Sequence, residues 1–179
     1  MQYNSEIKTI AWVEEENLSR MIDQKIIPHK FEFFDAKTCE QMYVAIKDMI
    51  VRGAPAIGIA GAHGVVLAAL ELQKQNLDFQ TFKIELTKKA DYLKSSRPTA
   101  VNLAWALEKQ MGVLNTCSSI DEAIKKLTEN GIKVENEDIE INKKIGEYGA
   151  TLVPKKGATI PDGYYLDLTF HTDPRLYLV

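Results

Sequence analysis

Between Arg52 and Glu71 the chain carries no ionised side chain, only Gly, Ala, Ile, Leu and Val around Pro55 and His63. A run this long and this apolar has two destinations, a bilayer or the centre of a globular core. The glycines at 53, 58, 61 and 64, together with His63, make it a poor membrane span. The expectation is a buried helix from Pro55 to about Leu72, around which the rest of the fold is arranged. Gly58, Gly61 and Gly64 recur every third residue, a stripe that lets another helix approach closely and not the G-x-G-x-x-G of a dinucleotide site. His63, alone among apolar neighbours, is either a core residue or an acid–base group.

The partners of such a helix can be read from periodicity. With 179 residues and 45% apolar side chains the chain is long enough for a real core. Residues 7 to 36 read as three short extended pieces, "IKTIAW", "NLSRMI" and "KFEFFDA", in a small antiparallel meander. Thr38 opens a helix with Gln41 completing a capping box, and Met42, Ala45, Ile46 and Met49 form its apolar stripe. Asp78 caps a helix lined by Phe82, Leu86, Ala90 and Leu93. Another helix starts at Pro98 and stops at Gly112. Ser119 and Glu122 open the next, which Gly131 ends, and a last one runs from about Glu137 to Leu152 with Ile141, Ile145 and Tyr148 on one side. Trp105 and Tyr148 are placed in the core. The fold class is therefore α+β and mostly α, a sheet over 7–36 followed by six helices in a bundle over 38–153.

The net charge of −3, with Lys and Arg scattered, leaves no electrostatic footprint for nucleic acid. The N-terminal stretch has Glu6 and Lys8 where a signal peptide needs an apolar core, and Cys39 and Cys117 have no C-x-x-C partner. The expectation is a cytoplasmic protein with two free thiols, no membrane and no metal.

Two arginines stand out. Arg52 precedes the Pro55 helix and Arg97 precedes Pro98. Open amides at a helix start carry the positive end of its dipole, where a cation is mildly repelled. An anion held between guanidinium and amides resolves this, because the planar fork of Arg matches phosphate. Gly53 lets backbone approach such a ligand, and Ser95 and Ser96 can add hydroxyl donors. The alternative is that each arginine pairs with a carboxylate of its own fold. Asn102, one turn after Arg97, orients a ligand or bonds a buried backbone group.

"VRGAPAIGIAGAHGVVLAA", "SSRPTAVNLAWAL", "INKKIGEYGATLV" and "IDQKIIPHKFEFFDAKT" together resemble the S-methyl-5-thioribose-1-phosphate isomerase family of methionine salvage. The resemblance covers roughly residues 7 to 160. Relatives of that family include ribose-1,5-bisphosphate isomerases and the regulatory subunits of the eukaryotic translation-initiation exchange complex. It implies an aldose–ketose isomerisation of a sugar 1-phosphate, with Arg52, Gly53 and Ala54 matching one substrate-binding segment and Arg97 a second contact. It also implies a homodimer, no cofactor, and a Rossmann-like second domain after the bundle.

The family pattern is left after "GATI", where a loop T-x-C-N-A-G with the catalytic cysteine is expected and Pro161, Asp162, Gly163 and Tyr164 follow instead. The proton-transferring aspartate of a later G-A-D-R-type segment has no counterpart. The resemblance thus gives residues 1–153 as the family's N-terminal domain and 154–179 as a stub of the second, with a non-family tail from about 161. No catalytic residue is assigned, and the chain is expected to be an incomplete, inactive protomer. The other readings are a non-catalytic module that binds a sugar phosphate or nucleotide, as the regulatory subunits do, a ribose-1,5-bisphosphate isomerase, and a bare helical interaction domain.

Overall fold

The computed structural model describes residues 8–152. It opens with β1 (Ile10–Val13), β2 (Leu18–Ile22) and β3 (Phe33–Ala36), an antiparallel sheet in the order β1-β2-β3. The β1–β2 turn carries Asn17 at φ 51, a left-handed position that Asn tolerates better than most residues. Register places Arg20 opposite Asp35, and the guanidinium forks onto that carboxylate at 2.8 and 2.7 Å. The contact holds Asp35 below the usual carboxylate range and raises Arg20. Leu18 and Met21 turn inward and are fully buried.

Five helices follow among the described residues: α1 (Cys39–Lys47), α2 (Ala54–Gln73), α3 (Phe79–Ser95), α4 (Val101–Leu114) and α5 (Ile120–Leu152). Thr38 caps α1 through a bond from the Gln41 amide, and Asp78 caps α3 through the Thr81 amide. Glu71 of α2 also accepts from the Cys39 amide and so ties down the start of α1. Ser119 Oγ accepts from the Glu122 amide, while the Glu122 carboxylate reaches back to the amide of Ser118. Residues 8–135 form one compact unit; α5 from Asn136 onward belongs to another.

In the first unit α2 is the central element. From Ile57 to Ala69 every residue of it is buried. It is long and apolar enough to cross a membrane, yet most of it is enclosed by its own fold. The glycine stripe explains how its neighbours come so near. A Cβ on Gly58 would lie 3.1 Å from the Asn102 carbonyl oxygen, one on Gly61 2.6 Å from Leu103 Cδ1, and one on Gly64 2.9 Å from Leu93 Cδ1. Phe82, Leu86, Ala90 and Leu93 all pack inward from α3. The buried Gln110 side chain donates to the carbonyls of Ala62 and Leu127 and accepts from Asn130, so one residue of α4 bonds to both α2 and α5.

Several expected boundaries move. Pro98 is not the first helical residue: Arg97 to Ala100 make a turn, closed by the Ala100 amide on the Arg97 carbonyl at 3.0 Å, and α4 begins at Val101. Gly112 lies inside α4 and stops nothing. Gly131 lies inside α5, so the two last helices expected from the sequence are one. Its glycine serves packing: a Cβ there would lie 3.3 Å from His63 Cδ2 and 3.7 Å from Val66. Trp105 is 50% and Tyr148 74% exposed, not core. Ile141 and Ile145 are exposed too, because the buried positions of that part of α5 are Asn142, Gly146 and Gly149. Met49 falls beyond the end of α1, exposed and at φ 59. The tail assigned from about 161, like the stub from 154, lies outside the described residues.

Candidate anion-binding site

Ile50 and Val51 are buried and hold the chain just before it enters α2; Arg52 follows, exposed. Gly53 is the N-cap of α2 at φ 93, a conformation that L side chains rarely adopt. A Cβ there would meet nothing within 4 Å, so the demand for glycine is conformational and not steric. Ala54 is the first helical residue and Pro55 the second, one place later than the sequence reading put it. The Ile57 amide already bonds the Gly53 carbonyl. That leaves Ala54 and Ala56 as the open donors of the first turn.

Arg97 sits, partly exposed, in the turn between α3 and α4. The N-cap of α4 is Ala100, which has no side-chain acceptor to offer. Thus α2 and α4 both begin without a side-chain cap, whereas Thr38, Asp78 and Ser119 serve α1, α3 and α5. Ser95 and Ser96 turn their hydroxyls back on the carbonyls of Tyr92 and Leu93, so they add no donors here. Among the described residues neither Arg52 nor Arg97 has a hydrogen-bond or ion-pair partner.

The packing brings the two starts to one end. Gly58 meets the Asn102 backbone, and three residues further along α2 Gly61 meets Leu103 and Leu107. The two helices therefore advance in the same sense. Gly58 is four residues into α2, about 6 Å along its axis, and Asn102 is the second residue of α4. Arg52, Gly53 and Ala54 thus share one end of the seam with the Arg97 turn. What this end offers chemically is a place for an anion: guanidinium groups supply N–H donors and positive charge, and no acceptor.

His63 lies elsewhere, fully buried in mid-α2. Burial pushes it down to about 3, the Gly131 backbone opposing and the Lys8 charge adding. Its Nδ1 is 2.9 Å from Ser19 Oγ. Neutral and enclosed, it is a core residue and not an acid–base group at this site. Ser19, Gln110 and Glu135, all buried, were not singled out by the sequence; each is a polar residue in a strand or helix with no local pattern to mark it. Among the described residues no three His, Cys, Asp or Glu side chains converge to hold a metal ion. Both cysteines are free and buried.

The chain is 44% identical over 142 residues to a methylthioribose-1-phosphate isomerase of Caldicellulosiruptor saccharolyticus, covering 78% of this chain and 40% of that protein. It is 42% identical over 151 residues to a 5-deoxyribose 1-phosphate isomerase of Clostridium botulinum, covering 83% and 43%. Among solved structures, 5-methylthioribose 1-phosphate isomerase from Pyrococcus horikoshii superimposes with a TM-score of 0.77 at 31% identity, over 86% of this chain and 44% of that one. The translation initiation factor eIF-2B, subunit delta, from A. fulgidus does so with a TM-score of 0.75 at 38% identity, over 82% and 42%. The chain spans less than half the length of these relatives. Residues 50–161, which open two residues before Arg52 and take in Arg97, match the initiation factor 2 subunit family. With that match and this level of identity, the chain belongs to the initiation factor 2 subunit family.

Proposed function

We propose that this chain supplies a phosphate-holding half of an aldose–ketose isomerase acting on a sugar 1-phosphate, S-methyl-5-thioribose 1-phosphate first among them. The observation that carries the reading is that two uncapped helix starts, each preceded by an arginine without a partner among the described residues, lie at one end of the α2–α4 seam. The names of the relatives supply the substrate class. Isomerisation moves a proton between adjacent carbons and needs a positioned acid–base group. Arg52, Gly53, Ala54 and Arg97 offer binding without that group, so the chain by itself binds and does not turn over. In the complete protein the reading is a homodimeric, cytoplasmic enzyme of methionine salvage.

The likeness to the initiation-factor subunit favours a second reading, a module that binds a sugar phosphate or nucleotide and performs no reaction. Calorimetric titration of the purified chain separates the outcomes, using methylthioribose 1-phosphate, a nucleoside monophosphate and inorganic phosphate in turn. The isomerase reading expects the sugar phosphate to bind tightest, with affinity lost in the Arg52→Ala and Arg97→Ala variants. Tighter binding of the nucleotide supports the second reading, and no binding of any of the three sinks both.

A further inference from the structure

The cluster around His63 takes no part in the anion site, and two of its buried polar atoms have no partner. Beyond the Ser19 contact on one edge of the imidazole, His63 Nε2 makes no hydrogen bond of good geometry, although the Gly131 backbone faces the ring and favours its protonation. Glu135 Oε2, on α5, lies 3.8 Å from it. That carboxylate, 3% exposed, is otherwise well held: Lys8 Nζ reaches Oε1 at 2.6 Å and the Trp12 backbone amide reaches Oε2 at 3.0 Å. The second partnerless atom is the indole Nε1 of Trp12. The indole meets the imidazole edge to face, 5.4 Å between ring centroids.

A buried polar group left unbonded loses its hydration without replacement, so two in one contact require an explanation. A gap of 3.8 Å is too long for a direct hydrogen bond. It suits a single oxygen about 2.8 Å from each side. The ring packs closely on Gly131: a Cβ there would stand 3.3 Å from His63 Cδ2, the ring carbon next to Nε2, so any side chain at 131 would crowd that edge. Gly131 is not among the residues at positive φ, so backbone conformation does not call for a glycine here.

We propose that this pocket binds one structural water, which accepts from Trp12 Nε1–H and donates to His63 Nε2 and to Glu135 Oε2. Three protein partners are what buried waters ordinarily have. The arrangement fixes the imidazole: Nε2 accepts, so the ring proton is on Nδ1 and is donated to Ser19 Oγ. Without the water the opposite tautomer is preferred, with Nε2–H turned toward the Glu135 carboxylate and the Ser19 hydroxyl donating to Nδ1. With the water in place, one polar spine joins β1 through Trp12, β2 through Ser19, α2 through His63 and α5 through Glu135, all within residues 8–135.

The two arrangements differ in the position of one proton, which long-range proton–nitrogen NMR reads directly on the full chain at neutral pH. The expected result is an Nδ1-protonated His63, together with an ordered oxygen within about 3.2 Å of both Nε2 and Oε2 in a crystal structure that resolves solvent. An Nε2-protonated ring, or a crystal structure with Nε2 closed directly onto Glu135, overturns the proposal. Trp12→Phe keeps the ring and removes one of the three partners, and is expected to shift the His63 Nε2 resonance and lower the occupancy of the oxygen. Gly131→Ala is expected to drive the oxygen out and flip the tautomer; should that variant fail to fold, the unmodified chain and Trp12→Phe still decide.

Discussion

The carbonyl oxygen of Asn102 stands 3.1 Å from the point where a side chain on Gly58 would begin. That oxygen belongs to the first turn of α4 and cannot rotate away. We therefore predict that Gly58→Ala lowers stability by about 1–3 kcal/mol through overpacking, although alanine is the better helix former. At Gly61 the nominal clash is shorter, 2.6 Å, but it falls on the tip of the Leu103 side chain. A side-chain tip can turn, so Gly61→Ala is expected to cost less than Gly58→Ala. Urea denaturation of the two variants checks the order, and the reverse order refutes the backbone contact.

Gly112 is the control. It lies within α4, and a Cβ there would meet nothing within 4 Å. Gly112→Ala is expected to raise stability by up to about 1 kcal/mol, through helix propensity and a less flexible unfolded chain. A loss of stability would show that this surface is more crowded than described.

His63 makes stability depend on pH. Its folded value is pushed down to about 3 from 6.5, so below 6.5 the unfolded chain takes up a proton that the folded chain refuses. The contribution is complete above about pH 6.5 and is lost progressively as pH falls toward 3, at most about 1.4 kcal/mol per pH unit. Asp35, Asp78 and Glu122 are held low by Arg20, Thr81 and Lys126. Their contributions fade only below their ordinary values of 3.8 to 4.5. Denaturation at pH 6.5 and 5 is therefore expected to show a drop that His63→Leu flattens; equal drops in both proteins would refute the buried neutral imidazole.

Arg52 and Arg97 should behave as ligand residues and not as structural ones. Neither has a protein partner among the described residues, so Arg52→Ala and Arg97→Ala are expected to leave the melting temperature within about 1 °C of the parent. Each is expected to weaken sugar-phosphate binding about 10- to 100-fold, the scale of one charge-assisted hydrogen bond to a phosphate. Unchanged affinity with lowered stability would reverse the assignment.

The buried helix, its glycine stripe, the three-strand meander and the caps at Thr38 and Asp78 were legible because each is written in a local pattern. Gly112 and Gly131 misled for a definite reason. A glycine in a helical stretch reads the same whether it ends the helix, faces solvent as at 112 or lets a neighbour approach, and at 131 the deciding neighbour, His63, is 68 positions away in the sequence. The same distance hid Ser19 and Glu135, which acquire meaning only once β2 and α5 close on α2. Trp105 was misplaced because an aromatic residue in a helix signals burial on average, and α4 turns that face to solvent. The arginines were found from the helix starts, yet the turn at Arg97–Ala100 moves the open amides of α4 three residues beyond Pro98.

A contact made by backbone has no rotamers. Where Gly58 meets the Asn102 carbonyl, the spacing of α2 and α4 rests on two rigid main chains, not on interlocked side chains that hop between states. The ends of the two helices then act like the jaws of a set calliper. If the proposed anion sits beside them, it meets helix ends whose spacing is already set, and binding need not spend energy on ordering them.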